Sequence, residues 1–181
     1  MVTHVNAEAP GDERGALLAF LGAERGAIRR ALIGLTDEQA ASRPSASELS
    51  LSGLLKHVAE VEEGWISRAK GVDPAVERTE ANWDECFRLV EGETVDAVLA
   101  YWRQVADRTE EFIRSLPTLD ETFGLPDQPW FPKEDVSMRW VLLRLITEMS
   151  RHAGHADIIR ESLDGRTAFE LVAQERGESW G

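Results

Sequence analysis

Glu148, His152 and His155 fall within the single stretch RWVLLRLITEMSRHAGHADIIRE, in a chain that has four histidines in all. At 100° per residue, His152 lies about 40° and His155 about −20° from Glu148 on a helical wheel, so the three share one narrow face. Leu145, Met149, Ala153 and Ala156 take the adjoining sector, which sets the polar groups at the margin of an apolar arc. Glu148 and His152 stand four residues apart, the spacing that lets two helical side chains converge on one ion while a facing helix supplies a third ligand.

His57, within SLSGLLKHVAEVEEGW, is the candidate for that third ligand, because Gly53, Leu54, Val61 and Gly64 place it on a semi-buried seam. Two neutral imidazoles and a carboxylate suit Zn²⁺, Ni²⁺ or another borderline divalent ion, and they leave positions open for water or substrate. Taken singly, each of these residues reads as an ordinary helix polar group. As a set they read either as polar residues at the edge of the core or as a metal centre, the second reading gaining weight because an ionised carboxylate beside an apolar seam is costly unless something compensates it. Arg144 and Arg151, at about −40° and −60° on the same wheel, are either contacts for an anionic substrate or solvent-facing charges. The Trp130 and Phe131 pair, set among prolines, either covers the apolar part of a cavity or pins its loop to the core.

These residues need elements to position them. Apolar residues at helical spacing predict four long helices, over about residues 12–34, 48–70, 94–116 and 138–163, as an all-α, antiparallel-type four-helix bundle in a single domain. Ser47 or Ser50, Thr94 and Ser137 are the candidate N-caps, while Pro117 and the Asp164–Gly165 pair are stop signals. Residues 72–92 are less periodic and read as a loop or short helical turns, with Trp83 and Phe87 as anchors. The proline-rich stretch before the fourth helix is a long loop of the kind that often carries function. A short tail helix is expected from Thr167 to about Arg176.

At 181 residues the chain can bury a core without disulfides. Six tryptophans supply aromatic bulk for that core or for a pocket. Twenty Lys and Arg against 33 Asp and Glu leave a formal net charge of −13, a field that disfavours nucleic acid and anionic membrane surfaces. No segment reads as a membrane span or an export signal, and the lone Cys86 fits a reducing cytoplasm, where it reads as a packing residue.

The segments SLSGLLKHVAEVEEGW and VSMRWVLLRLITEMSRHAGHADIIRESLDG, with the helix order around them, resemble the DinB-like superfamily of four-helix metal proteins. The similarity is strongest to its actinobacterial branch, related to mycothiol-dependent enzymes such as maleylpyruvate isomerase. The resemblance implies one histidine from the second helix and two ligands four residues apart in the last, which fall here on His57, Glu148 and His152. Many members carry His where this chain has Glu148, while the His, Glu, His set of the isomerase is similar to the present one. By the same resemblance, the expected activity is conjugation of mycothiol or another small thiol to an electrophilic small molecule, with the thiol arriving from solution. His155 would replace Glu148 as ligand, assist proton transfer as a catalytic base, or support the ligands from behind. A metal-dependent hydrolase or isomerase and a noncatalytic, stress-related binding protein are the competing readings, and a homodimer is a plausible assembly.

Overall fold

The computed structural model describes residue 5, residues 11–129 and residues 131–178. His4 and Trp130 lie outside the described residues.

Four long helices form the body: α1 (Glu13–Arg30), α3 (Leu51–Ala69), α4 (Val95–Ser115) and α5 (Met138–Asp164). Each begins on a side-chain oxygen that accepts a hydrogen bond from an otherwise orphaned backbone N–H: Asp12 from Gly15, Ser50 from Gly53, Thr94 from Ala97 and Ser137 from Trp140. Of the two candidate serines ahead of α3, Ser50 is the cap. Leu116 turns extended before Pro117 and ends α4, while Gly165, at φ 79°, gives α5 its left-handed stop.

Among the described residues, four small elements join the long helices besides the expected tail helix; the short helix and the paired strands depart from the sequence expectation, whereas the 3₁₀ turn does not. Thr36 and Gln39 form a capping box that starts a short helix, α2 (Asp37–Ala41), inside the stretch that reads as polar turns. A 3₁₀ turn spans Trp83–Phe87. Two-residue strands, β1 (Thr122–Phe123) and β2 (Val136–Ser137), pair antiparallel and clasp the proline-rich loop at its base. The tail helix α6 (Ala168–Arg176) starts on a Thr167–Glu170 capping box and turns Leu171, Val172 and Ala173 inward.

The packing order is what places the site. α1 runs along α5, α5 along α3, and α3 along α4, so α1 and α3 oppose each other diagonally across the bundle. One hydrophobic cluster fills the space between them, built from residues such as Leu21, Ile28, Leu54, Val58, Trp102, Ile113, Leu145 and Met149. A buried polar network crosses the same diagonal. Glu62 of α3, wholly enclosed, accepts from Arg25 of α1 through Nε at 3.0 Å and from the indole Nε1 of Trp102 at 2.9 Å. Near the far end of α5, Arg160 is also buried and donates to the carbonyls of Ala31 and Ile33 at 2.8 and 2.9 Å, satisfying oxygens left over where α1 ends. Among the described residues, no helix is long and apolar enough to cross a membrane.

Candidate metal centre and cavity

Because α3 and α5 are neighbours, the seam carrying His57 faces the margin carrying Glu148 and His152. One donor atom from each of the three residues lies within 4.8 Å of the others. Nε2 of His57 and Nε2 of His152 each stand 3.3 Å from the same oxygen, Glu148 Oε1. Two donors bonded to one ion at roughly 2.0–2.2 Å in a tetrahedral arrangement stand about 3.4 Å apart. The three donors therefore fit a divalent cation in number, type and spacing, after small side-chain adjustments.

Each ligand candidate is held from its outer side. The ring of Phe87 stacks on His57, with centroids 4.3 Å apart and planes 20° from parallel. That stacking depends on Gly53, where an added Cβ would lie 2.0 Å from the backbone oxygen of Phe87, so only a glycine lets the 3₁₀ turn approach α3 this closely. Arg144, one turn before Glu148, forms an ion pair with Oε2 and leaves Oε1 to the histidines. Hydrogen bonds from His152, His57 and Arg144 hold the Glu148 carboxyl far below the usual carboxylate range against the opposing effect of burial. A carboxylate so strongly ionised only accepts, so both Nε2 atoms donate to it and the free Nδ1 of His152 is an acceptor. His155 supplies the matching donor: its Nδ1 lies 3.4 Å from His152 Nδ1.

The triad forms part of the wall of a cavity of about 760 Å³ between α3, the 3₁₀ turn, the proline-rich loop and the first half of α5. Trp65, Trp140, Phe131 and Phe87 supply much of its apolar lining. Trp65 meets Trp140 and Phe131 at 5.5 Å between ring centroids in each case. Arg78 enters the wall already paired, with Nε 2.9 Å and Nη2 2.5 Å from the two oxygens of Glu60.

Of the residues singled out in the sequence, His57, Glu148, His152 and Arg144 meet here. His155 and Arg151 are not among the residues that line the cavity, and Arg151 is exposed. Phe131 packs into the cavity wall, whereas Trp130 is outside the described residues. Cys86 is buried and shares the wall with Phe87, although it lies on neither ligand-bearing helix. The sequence reading missed Trp65, Arg68 and Trp140 as site residues. A signal for the first two was present, since positions 57, 61, 64, 65 and 68 recur on one helical face.

The family model described as mycothiol-S-transferase matches residues 16–165. No curated protein matches the sequence. Among solved structures, a conserved protein from Enterococcus faecalis superposes with a TM-score of 0.65 at 18% identity, covering 83% of this chain and 96% of that one. YfiT from Bacillus subtilis, described as a probable metal-dependent hydrolase with an unusual four-helix bundle topology, superposes with a TM-score of 0.56 at 14% identity, covering 98% of this chain and 95% of its own. The two structures share the fold. The sequence match takes in most of α1, all of α3, α4 and α5 and all three candidate ligands, and on that ground the chain belongs to the mycothiol-S-transferase family, within the DinB-like superfamily.

Proposed function

We propose that this protein is a metal-dependent transferase that joins mycothiol, or a similar small thiol, to an electrophilic small molecule. The observation that carries the reading is the convergence of two imidazole nitrogens and one carboxylate oxygen in the wall of an aromatic-lined cavity. A divalent ion held by His57, Glu148 and His152, Zn²⁺ or Ni²⁺ by the donor set, would favour the thiolate form of a bound thiol.

The chain's own groups support that chemistry in definable ways. Arg144 balances the charge of Glu148, so the added charge of a cation would be left for an anionic sulfur to offset. The aromatic side chains of the wall would limit the water around such a sulfur and help to keep it nucleophilic. Were Nε2 of His152 to hold a metal, the ring would carry its proton on Nδ1 and donate to His155 Nδ1, with His155 carrying its own proton on Nε2. His155 is thus a positioning residue that holds the ring and its tautomer. Burial lowers the His155 pKa, and His152 and Arg151 add to the effect, so a neutral imidazole is available to accept that bond. Cys86 supplies no competing nucleophile, because burial pushes its thiol up to about 11. The thiol that reacts comes from solution.

The test uses untagged protein, mycothiol and 1-chloro-2,4-dinitrobenzene, in which the C–S bond forms, the C–Cl bond breaks, and chloride and the thiol proton depart. One divalent ion per chain is expected in the wild type and loss of that ion in His57→Ala and in His152→Ala, with conjugation falling on the order of 100-fold or more. Unchanged metal content in both variants, or conjugation indifferent to both, overturns the assignment. Ester hydrolysis without thiol transfer would place the chain with the hydrolytic reading instead.

A further inference from the structure

Three arginines, Arg68, Arg78 and Arg144, line the cavity, and two of them are already matched by carboxylates. Arg144 is paired with Glu148, and Arg78 with Glu60 and Glu85. Arg68 makes no ion pair or hydrogen bond with any described residue; its contact is with the face of Phe131, 5.3 Å from the ring centroid. Glu63, five residues earlier, accepts its hydrogen bonds elsewhere, from Ser67 Oγ at 2.7 Å and from the backbone N–H of Ala75 at 3.1 Å. The guanidinium is partly desolvated, which lowers its pKa without removing its charge, while Glu63 and Glu77, neither in ion-pair contact with it, attract it and act the other way.

The position of that guanidinium is built into α3. The side chain folds back one turn toward the helix start, so that Nη1 lies 2.7 Å from where a Cβ on Gly64 would stand. Gly64 is the seat it occupies. Seven residues at 1.5 Å rise separate the levels of His57 and Gly64, so the unmatched cation stands about 10 Å along the helix from the triad.

We propose that Arg68 is a specificity residue that binds a carboxylate on the electrophilic substrate, at a point about 10 Å along the cavity from the reacting centre. This inference rests on the reading of the cavity as the substrate site. The substrate class it names is an apolar or aryl electrophile with a terminal carboxylate. The ring system would lie among Trp65, Trp140 and Phe131, and the carboxylate would take the paired N–H groups that the protein leaves unused.

Binding of 4-phenylbutanoate and of its uncharged isostere 4-phenylbutanamide is measured calorimetrically on Zn²⁺-loaded and on metal-free protein, with no thiol present. The acid is expected to bind the wild type at least about tenfold more tightly than the amide, with or without Zn²⁺. The preference falls to about one in Arg68→Met and shrinks in Gly64→Ala, which displaces the guanidinium. Arg68→Lys retains part of it. Equal or undetectable binding of both probes to the wild type overturns the proposal, as does an undiminished preference in Arg68→Met. A preference that disappears with the metal but survives Arg68→Met puts the carboxylate on the ion, and also overturns it. Thermal melts of each variant separate loss of binding from loss of fold. Because no thiol chemistry enters this measurement, failure of the transferase assay leaves the acid-to-amide ratio standing, and a ratio of one leaves the transferase result standing.

Discussion

Cys86 shows how far a side chain's surroundings override its type. A cysteine in the wall of a cavity beside a candidate metal centre invites a catalytic reading, yet it is buried and its thiol is raised to about 11, chiefly by burial, with Arg78 pulling the other way. At pH 8 an ordinary cysteine is about one quarter thiolate, whereas a thiol of this kind is ionised to about one part in a thousand. Dithionitrobenzoate at pH 8 is therefore expected to titrate the native protein at least about 100-fold more slowly than the same protein unfolded in guanidinium. Rapid native labelling would show that the residue is open and ionised, and would make it a candidate nucleophile. The same dependence on surroundings applies to the histidines. His155 has the residue type of a base, but its place off the cavity wall and against His152 suits it to orient a ring.

At the scale of elements, the site depends on how closely the 3₁₀ turn can press against α3. Phe87 reaches His57 because Gly53 has no side chain to hold the turn away. Gly53→Ala has to move backbone, not the tip of a flexible chain, and an overpacked contact of this sort costs about 1–3 kcal/mol. Lower stability in urea is expected together with weaker metal binding, since the ring of His57 loses the surface that fixes its plane. Stability lost with metal affinity unchanged would mean that Phe87 does not orient the ligand. The contrast with Gly64→Ala is instructive: there the neighbouring atom is the end of the Arg68 side chain, which can swing aside with little cost to the fold. The proline-rich loop is positioned in a comparable way, its base clasped by β1 and β2 and its Phe131 set edge-on against Trp65.

At the scale of the whole molecule, the diagonal arrangement of α1 and α3 brings a cost that a bundle of strictly adjacent helices avoids. The Arg25–Glu62 ion pair spans the core with neither partner facing solvent. Such a pair gains little over a well-packed apolar replacement, but removing one partner strands a charge in the interior. Arg25→Met is expected to cost about 3–5 kcal/mol of unfolding free energy, and the double variant Arg25→Met, Glu62→Leu distinctly less than the sum of the two single changes. Urea denaturation of the three variants checks this. Additive losses would show that the two groups are not coupled across the diagonal. The indole N–H of Trp102 shares the same carboxylate, so the network also ties α4 to the pair.

Periodicity and caps were enough to place all four long helices within a few residues of where they stand, because a helix is a local object whose apolar stripe and end signals are written along the chain. The same local arithmetic put Glu148 and His152 on one face, and the semi-buried seam formed by Gly53, Leu54, Val61 and Gly64 pointed to His57 as their partner. The short helix α2 and the strand clasp were not legible: the first is a single capped turn, and the second is two residues paired across a loop. Nor were the roles of Phe87, Gly53 and Arg68, although Arg68 lies on the His57 face. Their meaning arises only when segments distant in sequence come within contact distance, and no pattern along one segment encodes its neighbour. The primary structure by itself determined which residues could bind a cation and which helices would carry them. The tertiary structure alone decided that α3 and α5 lie side by side, and that Arg144 and Arg78 find carboxylates while Arg68 does not. The physical reason is that adjacency and charge pairing belong to the packed molecule and have no counterpart in the isolated segments.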